Sequence, residues 1–428
     1  MHIPRQLLGD GGSAASPATS AVKAVVAHFI VGFTISYSQA DWLNDITQAS
    51  AMGIDAFALN FGSDPWQPNQ IANAYAAAAA HGSSFKLFLS FDMTSIPCAS
   101  AGDAANIGHA LNQYASHPSQ FWYKDRPYTS TFGGERCTFG TGDVNSGWTS
   151  AVRNGVSTPY SFVPGFFTDP NTFGSYPVVD GEFNWNGAWP MSGSDETFDS
   201  DGSYIASDNG KLFMAAASPW FFAHYPWKNE VFRSSDWLWN TRWDQIIAHR
   251  DQVDIVEIVT WNDYSESHYI GPVTAAASPP GGTYWQNGYD HQGWLNMVPY
   301  YAQAFKTGAN PTISTDHIYI WSRPHPADAT ACCDGIGKPA NAQWESDNLW
   351  AVVFASSTGT VTLTSGSNVQ SFEVPAGVTK LQVPSAPGGI RGTLTRLGAA
   401  VVDVNPGAAF TYTLTPQQYN YNAFVAWA

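Results

Sequence analysis

Charged residues are scarce in this 428-residue chain: Asp, Glu, Lys and Arg together make up 12% of it, roughly half the usual fraction. The 18 Lys and Arg residues form no basic run, and the formal net charge is −16. Because a phosphate backbone is bound mainly through Lys and Arg, we expect no nucleic acid among the partners. Aromatic residues, in contrast, reach 14%. A surface of rings and uncharged polar groups suits neutral sugars, which bind by ring stacking and hydroxyl hydrogen bonds.

Long apolar runs are also missing. The Ala-rich stretch 74–80 is far shorter than the roughly 18 residues of a membrane-spanning helix, so we expect no membrane partner. Residues 1–21 lack an apolar segment of signal-peptide length, and we expect them to form a disordered leader. No group of His, Cys, Asp and Glu has metal-ligand spacing. We therefore expect no metal and no cofactor.

From Val22 onward, strand-like apolar runs alternate with helical patterns, with a repeat of roughly 30 residues that is typical of βα units. The predicted strands are 24–31, 55–61, 85–91, 121–128, 162–167, 178–184, 212–217 and 255–260. The clearest predicted helices are 39–52, 67–81 and 291–306. Eight strands predict the fold class α/β, as a (β/α)8 TIM-type barrel over residues 22–311.

Beyond Gly308 the helical period disappears, and short alternating segments are separated by Gly, Ser, Pro and Asn. This pattern predicts an antiparallel β-sandwich domain over residues 312–428. Its predicted strands are 316–321, 349–355, 359–364, 370–374, 379–383, 392–397 and 410–415. The sandwich is either a binding module or a support for the barrel, and the scarcity of Trp after Trp350 favours support.

Four cysteines allow three pairings, and none has the spacing of a zinc site. We favour a disulfide between Cys98 and Cys137, which would tie two barrel loops together. Cys332 and Cys333 are adjacent, and they form either a strained vicinal disulfide or two thiols. The acidic balance and the possible disulfides favour a secreted, extracellular protein.

The stretch 254–272 reads DIVEIVTWNDYSESHYIGP and joins a buried strand to a cluster of reactive side chains. Parallel α/β folds place their chemistry at the carboxyl ends of strands. Asp263 and Glu266 are three residues apart, and therefore share one side if the segment turns helically. Two carboxyl groups beside aromatic rings are what glycosidic bond cleavage requires. The alternative is a polar loop, because Asn and Asp also cap helices.

Further polar and aromatic residues follow the other predicted strands and would meet at the same edge. We predict a substrate-binding set made of His28, Asn60, Asp92, Asp180, Trp185, Trp220, Tyr225, Trp261, Tyr264 and His268. Asp92 is equally interpreted as a buried acid bonded to loop amides. Asp180 is the first substitute if either half of the carboxylate pair is wrong. A tryptophan at a barrel edge is often a packing residue, and His268 is as suited to orienting a loop as to contacting substrate.

Four stretches resemble glycoside hydrolase family 71, the fungal α-1,3-glucanases or mutanases: AHFIVG, GIDAFALNFG, FKLFLSFDM and TWNDYSESHYIGP. The resemblance runs across the predicted barrel, and a C-terminal sandwich is expected in that family. It implies an endo-acting hydrolase of α-1,3-glucan that inverts the anomeric carbon. Its catalytic pair falls on Asp263 and Glu266.

Inversion requires a protonated carboxyl group and an ionised carboxylate that activates water, about 6.5–9.5 Å apart. We assign Glu266 as the general acid, expecting aromatic surroundings to raise its pKa, and Asp263 as the base. The two roles are exchangeable on sequence alone. The alternatives are a glycanase acting on a different α-linked or mannose-type polymer, and a carbohydrate-binding protein without catalysis. We expect a monomer whose partner is α-1,3-glucan.

Overall fold

The computed structural model describes residues 23–82, 84–207, 210–233, 237–279 and 284–428. The predicted leader, residues 1–21, lies outside these ranges. The α-helices in the described residues are α1 (Gln39–Ala51), α2 (Gln67–His81), α3 (Ala101–Tyr114), α4 (Val144–Thr149), α5 (Asp199–Ser207), α6 (Leu238–Ala248) and α7 (Gln292–Thr307).

The first eleven strands are β1 (Ala24–Ile30), β2 (Ala56–Phe61), β3 (Lys86–Asp92), β4 (Trp122–Tyr123), β5 (Arg126–Phe132), β6 (Ser161–Phe162), β7 (Gly181–Asn184), β8 (Leu212–Ala217), β9 (Phe222–Tyr225), β10 (Lys228–Val231) and β11 (Ile255–Ile258). The others are β12 (His317–Ser322), β13 (Asn348–Ala355), β14 (Gly359–Ser365), β15 (Asn368–Val374), β16 (Gly377–Pro384), β17 (Ile390–Arg396), β18 (Ala399–Val404) and β19 (Phe424–Trp427).

A curled sheet has the strand order β4-β5-β3-β2-β1-β11-β8-β7, with β6 paired to β5. Apart from the β4–β5 hairpin, its strands run parallel. The two ends of the sheet approach each other, as two hydrogen bonds show. The amide of Asp180 donates to the carbonyl of Phe162 at 2.8 Å, and the amide of Phe183 donates to the carbonyl of Pro164 at 3.1 Å. The predicted mixed α/β class is confirmed. The carboxyl ends of the parallel strands lie at one edge, which we call the carboxyl edge.

The predicted strand 121–128 is displaced in the structure. Lys124 and Asp125 both have a left-handed φ, of 48° and 64°. Such a residue pair forms a tight two-residue hairpin turn, so the chain reverses between β4 and β5. The parallel strand of the sheet is therefore β5, which begins at Arg126.

Local sequence explains the helices beside the first strands. Ser38 and Asp41 form a capping box at the start of α1, in which each side chain accepts a hydrogen bond from the other residue's backbone amide. Helix α2 ends at Gly82, whose φ of 68° is left-handed and favours glycine. The predicted bounds of this helix, 67–81, are confirmed.

Two four-stranded antiparallel sheets follow, in the orders β16-β13-β12-β19 and β15-β14-β17-β18. Buried side chains of both, such as Ile320, Val361 and Leu394, belong to one hydrophobic cluster. The prediction of a strand at 410–415 is wrong. In this segment Tyr412 makes an isolated bridge to Gly388, and no strand forms. The chain instead reverses at the left-handed residues Leu397 and Gly398 and continues as β18.

Residues 312–428, called the C-terminal region below, pack closely against the curled sheet and its helices. Indole nitrogens of Trp220 and Trp237 donate to the carbonyls of Tyr421 at 2.8 Å and Ala351 at 2.9 Å. The principal hydrophobic cluster includes side chains from both parts of the chain. The two parts therefore share an apolar core and hydrogen bonds from indole side chains to backbone carbonyls.

The disulfide Cys98–Cys137 is present, as predicted. Cys332 and Cys333 are exposed free thiols, which selects one of the two alternatives left open by the sequence. Over the described ranges, we find no helix with the combined length and hydropathy needed to cross a membrane.

Candidate active site

The chain beyond β11 folds back on itself at the carboxyl edge. The amide of Thr260 donates to the carbonyl of His268 at 2.8 Å, and the amide of Gly271 donates to that of Trp261 at 2.8 Å. The return path is tight: a Cβ at Gly271 would lie 2.6 Å from the Trp261 indole. The reversal includes Ser267, whose φ is 63°. The reversal between Thr260 and Gly271 therefore brings the polar side chains of this loop close together.

Asp263, Glu266 and His268 meet there. The ring nitrogen Nε2 of His268 lies 3.1 Å from Oε2 of Glu266 and 3.8 Å from Oδ2 of Asp263. Asp263 Oδ1 accepts hydrogen bonds from the Ser265 hydroxyl and, at 3.1 Å, from the Glu266 amide. The amide of Asp263 donates to Thr260 Oγ1 at 2.8 Å. Both carboxyl groups are thus held by short-range bonds within one loop.

A lysine from a different element completes the cluster. Lys228 begins β10, and its Nζ lies 2.6 Å from Glu266 Oε1 and 5.2 Å from the centre of the Phe221 ring. Burial by itself would raise the pKa of Glu266, but the His268 hydrogen bond and the Lys228 charge outweigh it and lower that pKa to about 2. This direction is opposite to the raised pKa expected from the sequence. Glu266 is therefore the ionised member of the pair.

Asp263 has the opposite tendency. Its burial, followed by the negative charge of Glu266, raises the pKa of its carboxyl group. His268, Ser265 and Lys228 oppose this shift without reversing it. Two neighbouring carboxyl groups whose pKa values are pushed apart are suited to one donating and one anionic role.

The carboxylates stand close together. One ligand atom from each of Asp263, Glu266 and His268 lies within 4.8 Å of the others. The same three side chains have the donor types of a metal site, but the Lys228 ammonium lies against Glu266 Oε1. A metal cation bound to these side chains would be repelled by the positive charge of Lys228.

Aromatic rings surround the cluster. The ring centre of His268 is 5.5 Å from Trp189, 5.9 Å from Phe221 and 6.4 Å from Trp185. The edge of Trp185 meets His28 at 4.8 Å, and His28 Nδ1 lies 2.6 Å from Glu257 Oε1 inside the sheet. These rings pack around His268, which contacts both carboxylates.

Three residues of the predicted substrate-binding set lie at or next to this cluster. His268 contacts both carboxylates, and Trp185 flanks the His268 ring. Tyr225 makes a hydrogen bond with Ser265, and its pKa is raised by burial and then by the charges of Asp263 and Glu266. His28 lies one layer deeper, behind Trp185.

The prediction that Asp180 lies at the carboxyl edge needs correction. Asp180 directly precedes β7 and therefore lies at the amino end of the strand, opposite the cluster. Its carboxylate bonds the guanidinium groups of Arg153 at 2.6 Å and Arg126 at 3.3 Å, and the amide of Phe162 at 2.9 Å. These contacts hold the end of the sheet together.

Three predicted aromatic contacts are corrected as well. Trp220, Trp261 and Tyr264 are buried, so their rings have no surface to offer a sugar. Trp220 packs on Trp294, and Trp261 packs on Phe57. The Tyr264 hydroxyl donates to the carbonyl of Pro272 at 2.7 Å. These rings form the core beneath the loop.

Asn60 is the last residue but one of β2 and Asp92 is the last residue of β3, so both lie at the carboxyl edge. Their strands are two and three positions away from β11 in the sheet order. Asp92 Oδ1 accepts hydrogen bonds from the Thr94 amide at 3.0 Å and from its hydroxyl at 2.6 Å. This is the loop-bonding role that the sequence left open for it.

Reasoning from sequence alone missed Lys228, Ser265 and Phe221 as members of the cluster. Ser265 lies between the two carboxylates, so its place in the stretch was a usable signal. Lys228 reaches Glu266 across 38 positions of the chain. No local pattern predicts that contact.

Comparisons place these observations among known proteins. A family model described as glycosyl hydrolase family 71 matches residues 21–428. The glucan endo-1,3-alpha-glucosidase agn1 of Schizosaccharomyces pombe is 40% identical over 372 residues, covering 86% of each chain. A mutanase of Penicillium rubens is 36% identical over 414 residues, covering 94% of this chain and 88% of its own.

Among solved structures, a GH99 endo-alpha-mannosidase of Bacteroides thetaiotaomicron aligns with a TM-score of 0.50 and 13% identity. The alignment covers 66% of this chain and 97% of that one. At this identity the likeness concerns the fold alone.

Proposed function

This chain belongs to glycosyl hydrolase family 71 and is a glycoside hydrolase, and we propose that it cleaves α-1,3-glucan internally through Asp263 and Glu266. The observation that carries the proposal is the pair of adjoining carboxyl groups whose pKa values shift in opposite directions. The relatives named for α-1,3-glucan cleavage support the substrate.

In this proposal Asp263 is the general acid and Glu266 the anionic partner. A general acid must hold a proton at the operating pH, and burial beside Glu266 favours the protonated form of Asp263. Lys228 and His268 favour the ionised form of Glu266. The roles are thus exchanged relative to the sequence-based assignment. Asp263 would donate its proton to the leaving glycosidic oxygen.

Two candidate routes remain for the anionic partner. Family resemblance implies inversion, in which Glu266 activates a water molecule. The alternative is direct attack by Glu266, with retention, and the observation that favours it is the lowered pKa of Glu266, about 2. A carboxylate of such low basicity is a weak proton acceptor.

The first experiment measures reducing-sugar release from insoluble α-1,3-glucan, with α-1,4- and β-1,3-glucans as controls. Activity on a control polymer alone would refute the substrate and leave the carboxylate pair standing. Proton NMR of the first products distinguishes the routes, because inversion releases the β-anomer and retention the α-anomer. A substrate with a fluoride leaving group needs no proton donor. Asp263→Asn should therefore retain activity on it, whereas Glu266→Gln should not.

We further propose that residues 22–311 form a (β/α)8 barrel that carries catalysis, and that residues 312–428 form a β-sandwich that supports it. The support consists of contacts to the β9–β10 hairpin, which holds Lys228. Asp334 Oδ2 lies 2.9 Å from His224 Nε2. The amide of Val231 donates to the carbonyl of Ala340 at 3.1 Å, and the amide of Ala340 donates to the carbonyl of Asn229 at 2.9 Å. If residues 312–428 were instead a binding module, a catalytically inactive variant would still bind insoluble glucan, and it would do so through exposed aromatic rings of that region.

The remaining parts of the proposal concern setting and partners. We propose an extracellular monomer that binds neutral polysaccharide rather than nucleic acid or membrane. The net charge of −16 and the disulfide Cys98–Cys137 support this. Light scattering of the purified chain tests the monomer, since a dimer would double the measured mass.

A further inference from the structure

Trp227 is the most exposed tryptophan of the described residues, with 74% of its surface open to solvent. Most other tryptophans near the carboxylates are enclosed; Trp185, Trp189 and Trp220 are all buried. Keeping a large apolar ring in water is unfavourable unless something covers it part of the time. Trp227 therefore stands out as a contact surface.

The ring of Trp227 is held by its neighbours. It stacks on Tyr225 with ring centres 4.8 Å apart and planes inclined by 15°. Tyr225 in turn meets the edge of Trp285 at 5.1 Å and bonds Ser265. One indole face is thus supported by packed rings, while the exposed remainder faces outward. A ring that is oriented before binding loses little conformational freedom when a ligand covers it.

Its position connects it to the candidate active site. Pro226 and Trp227 form the two-residue turn between β9 and β10. The next residue, Lys228, bonds Glu266 at 2.6 Å. Tyr225, on the other side of the turn, is close enough to Asp263 and Glu266 for their charges to affect its pKa. The supported ring therefore borders the carboxylate pair.

We propose that Trp227 is a stacking subsite for a glucosyl ring of the α-glucan chain, adjacent to the bond that is cleaved. The C–H faces of a neutral hexose are apolar and pack against an indole, while the hydroxyl groups at the ring edge remain in water. This inference rests on the proposed function and deepens it by naming a residue that binds and positions the polymer. It contributes affinity, while Asp263 and Glu266 carry the chemistry.

The chain offers a matched control. Trp122 exposes 47% of its surface and lies in the β4–β5 hairpin, just before the amino end of β5 and therefore opposite the carboxyl edge. Trp122→Ala removes an exposed indole of the same kind without touching the proposed subsite. Trp227→Phe keeps an aromatic face on Tyr225.

The test compares the wild type, Trp227→Ala, Trp227→Phe and Trp122→Ala on soluble α-1,3-gluco-oligosaccharides. We expect Trp227→Ala to raise KM roughly fivefold to tenfold, the size of one aromatic contact, with kcat within about twofold. Trp227→Phe should restore most of the affinity, and Trp122→Ala should match the wild type. The acidic limb of the kcat–pH profile should not move in Trp227→Ala, because Lys228 and Glu266 remain.

An unchanged KM in Trp227→Ala would overturn the proposed subsite. A fall in kcat together with a displaced acidic limb would also overturn it, because the substitution would then be acting by disturbing the β9–β10 hairpin. Failure of the proposed function looks different, because the wild type itself would then leave α-1,3-glucan intact. If the wild type cleaves another α-glucan instead, the same four proteins compared on that polymer decide the role of Trp227.

Discussion

The ammonium nitrogen of Lys228 lies 2.6 Å from Oε1 of Glu266, although the two residues come from different elements of the fold. Through this contact the β9–β10 hairpin contributes to the charge state of a carboxylate in the loop after β11. Together with His268, it keeps Glu266 ionised against the effect of burial. The proposed division of labour between the two carboxylates depends on this pair.

Replacing this lysine should move the pH profile. In Lys228→Met the positive charge is lost, so the pKa of Glu266 rises from its lowered value. Because the proposed mechanism needs Glu266 ionised, the acidic limb of kcat/KM should shift to higher pH by roughly one to three pH units, the effect of one neighbouring opposite charge. The control is Lys380→Met, which removes a surface pair with Asp244. Equal acidic limbs in wild type and Lys228→Met would contradict the assignment.

The carboxylate pair itself should be indispensable. Asp263→Asn and Glu266→Gln should each lower hydrolysis of α-1,3-glucan by roughly a thousandfold or more, with circular dichroism unchanged. Asp180→Asn should retain kcat, because Asp180 lies at the opposite end of β7 and bonds Arg126 and Arg153. A catalytic loss in Asp180→Asn at intact stability would reassign the chemistry to that residue.

Asp334 should affect both stability and turnover. Burial alone would raise its pKa, but the amides of Tyr419 and Gly337 and the ring of His224 lower it to about 2. A lowered carboxylate pKa gives stability that is present above the unfolded pKa of about 3.9 and is lost as the pH falls towards 2. In Asp334→Asn we expect the free energy of unfolding to fall by roughly 1–3 kcal/mol at neutral pH. This difference should diminish as the pH falls from about 4 towards 2.

The same substitution should lower kcat, since His224 is part of the hairpin that holds Lys228. The matched control is Asp316→Asn, because the pKa of Asp316 is also lowered, through its bonds to Arg396 within the C-terminal region. Asp316→Asn should lower the melting temperature and leave kcat unchanged. Thermal unfolding and initial rates measured on both variants check this, and identical kcat losses would remove the special role of Asp334.

The disulfide Cys98–Cys137 joins residues 39 positions apart. Closing a loop of that length restricts the unfolded chain and stabilises the fold by about 4 kcal/mol. Cys98→Ser/Cys137→Ser should therefore unfold at lower urea concentration than the wild type. The double variant Cys332→Ser/Cys333→Ser should unfold like the wild type, because those thiols are exposed and unbridged. Coincident urea curves for all three proteins would contradict the prediction.

Local patterns were enough to predict a good part of this molecule. Apolar runs of strand length identified the parallel strands, and the capping box at Ser38 and the glycine at position 82 marked helix ends. The stretch after β11 combined Asp263, Glu266 and His268 in six positions, so their proximity was readable from the chain. Such features depend on residues close in sequence, which interact in the same way wherever the segment lies.

Long-range contacts determined the rest. Burial separates the exposed Trp227 from the enclosed Trp220 and Trp261, although all three are tryptophans in the segments that follow β8 or β11. The pKa directions of Asp263 and Glu266 depend on Lys228, whose ammonium comes near only because β9 and β10 reach the loop after β11. Residue types show which charges and rings are available, but electrostatic interactions and solvent exposure depend on which elements pack together, and that is settled by the tertiary fold.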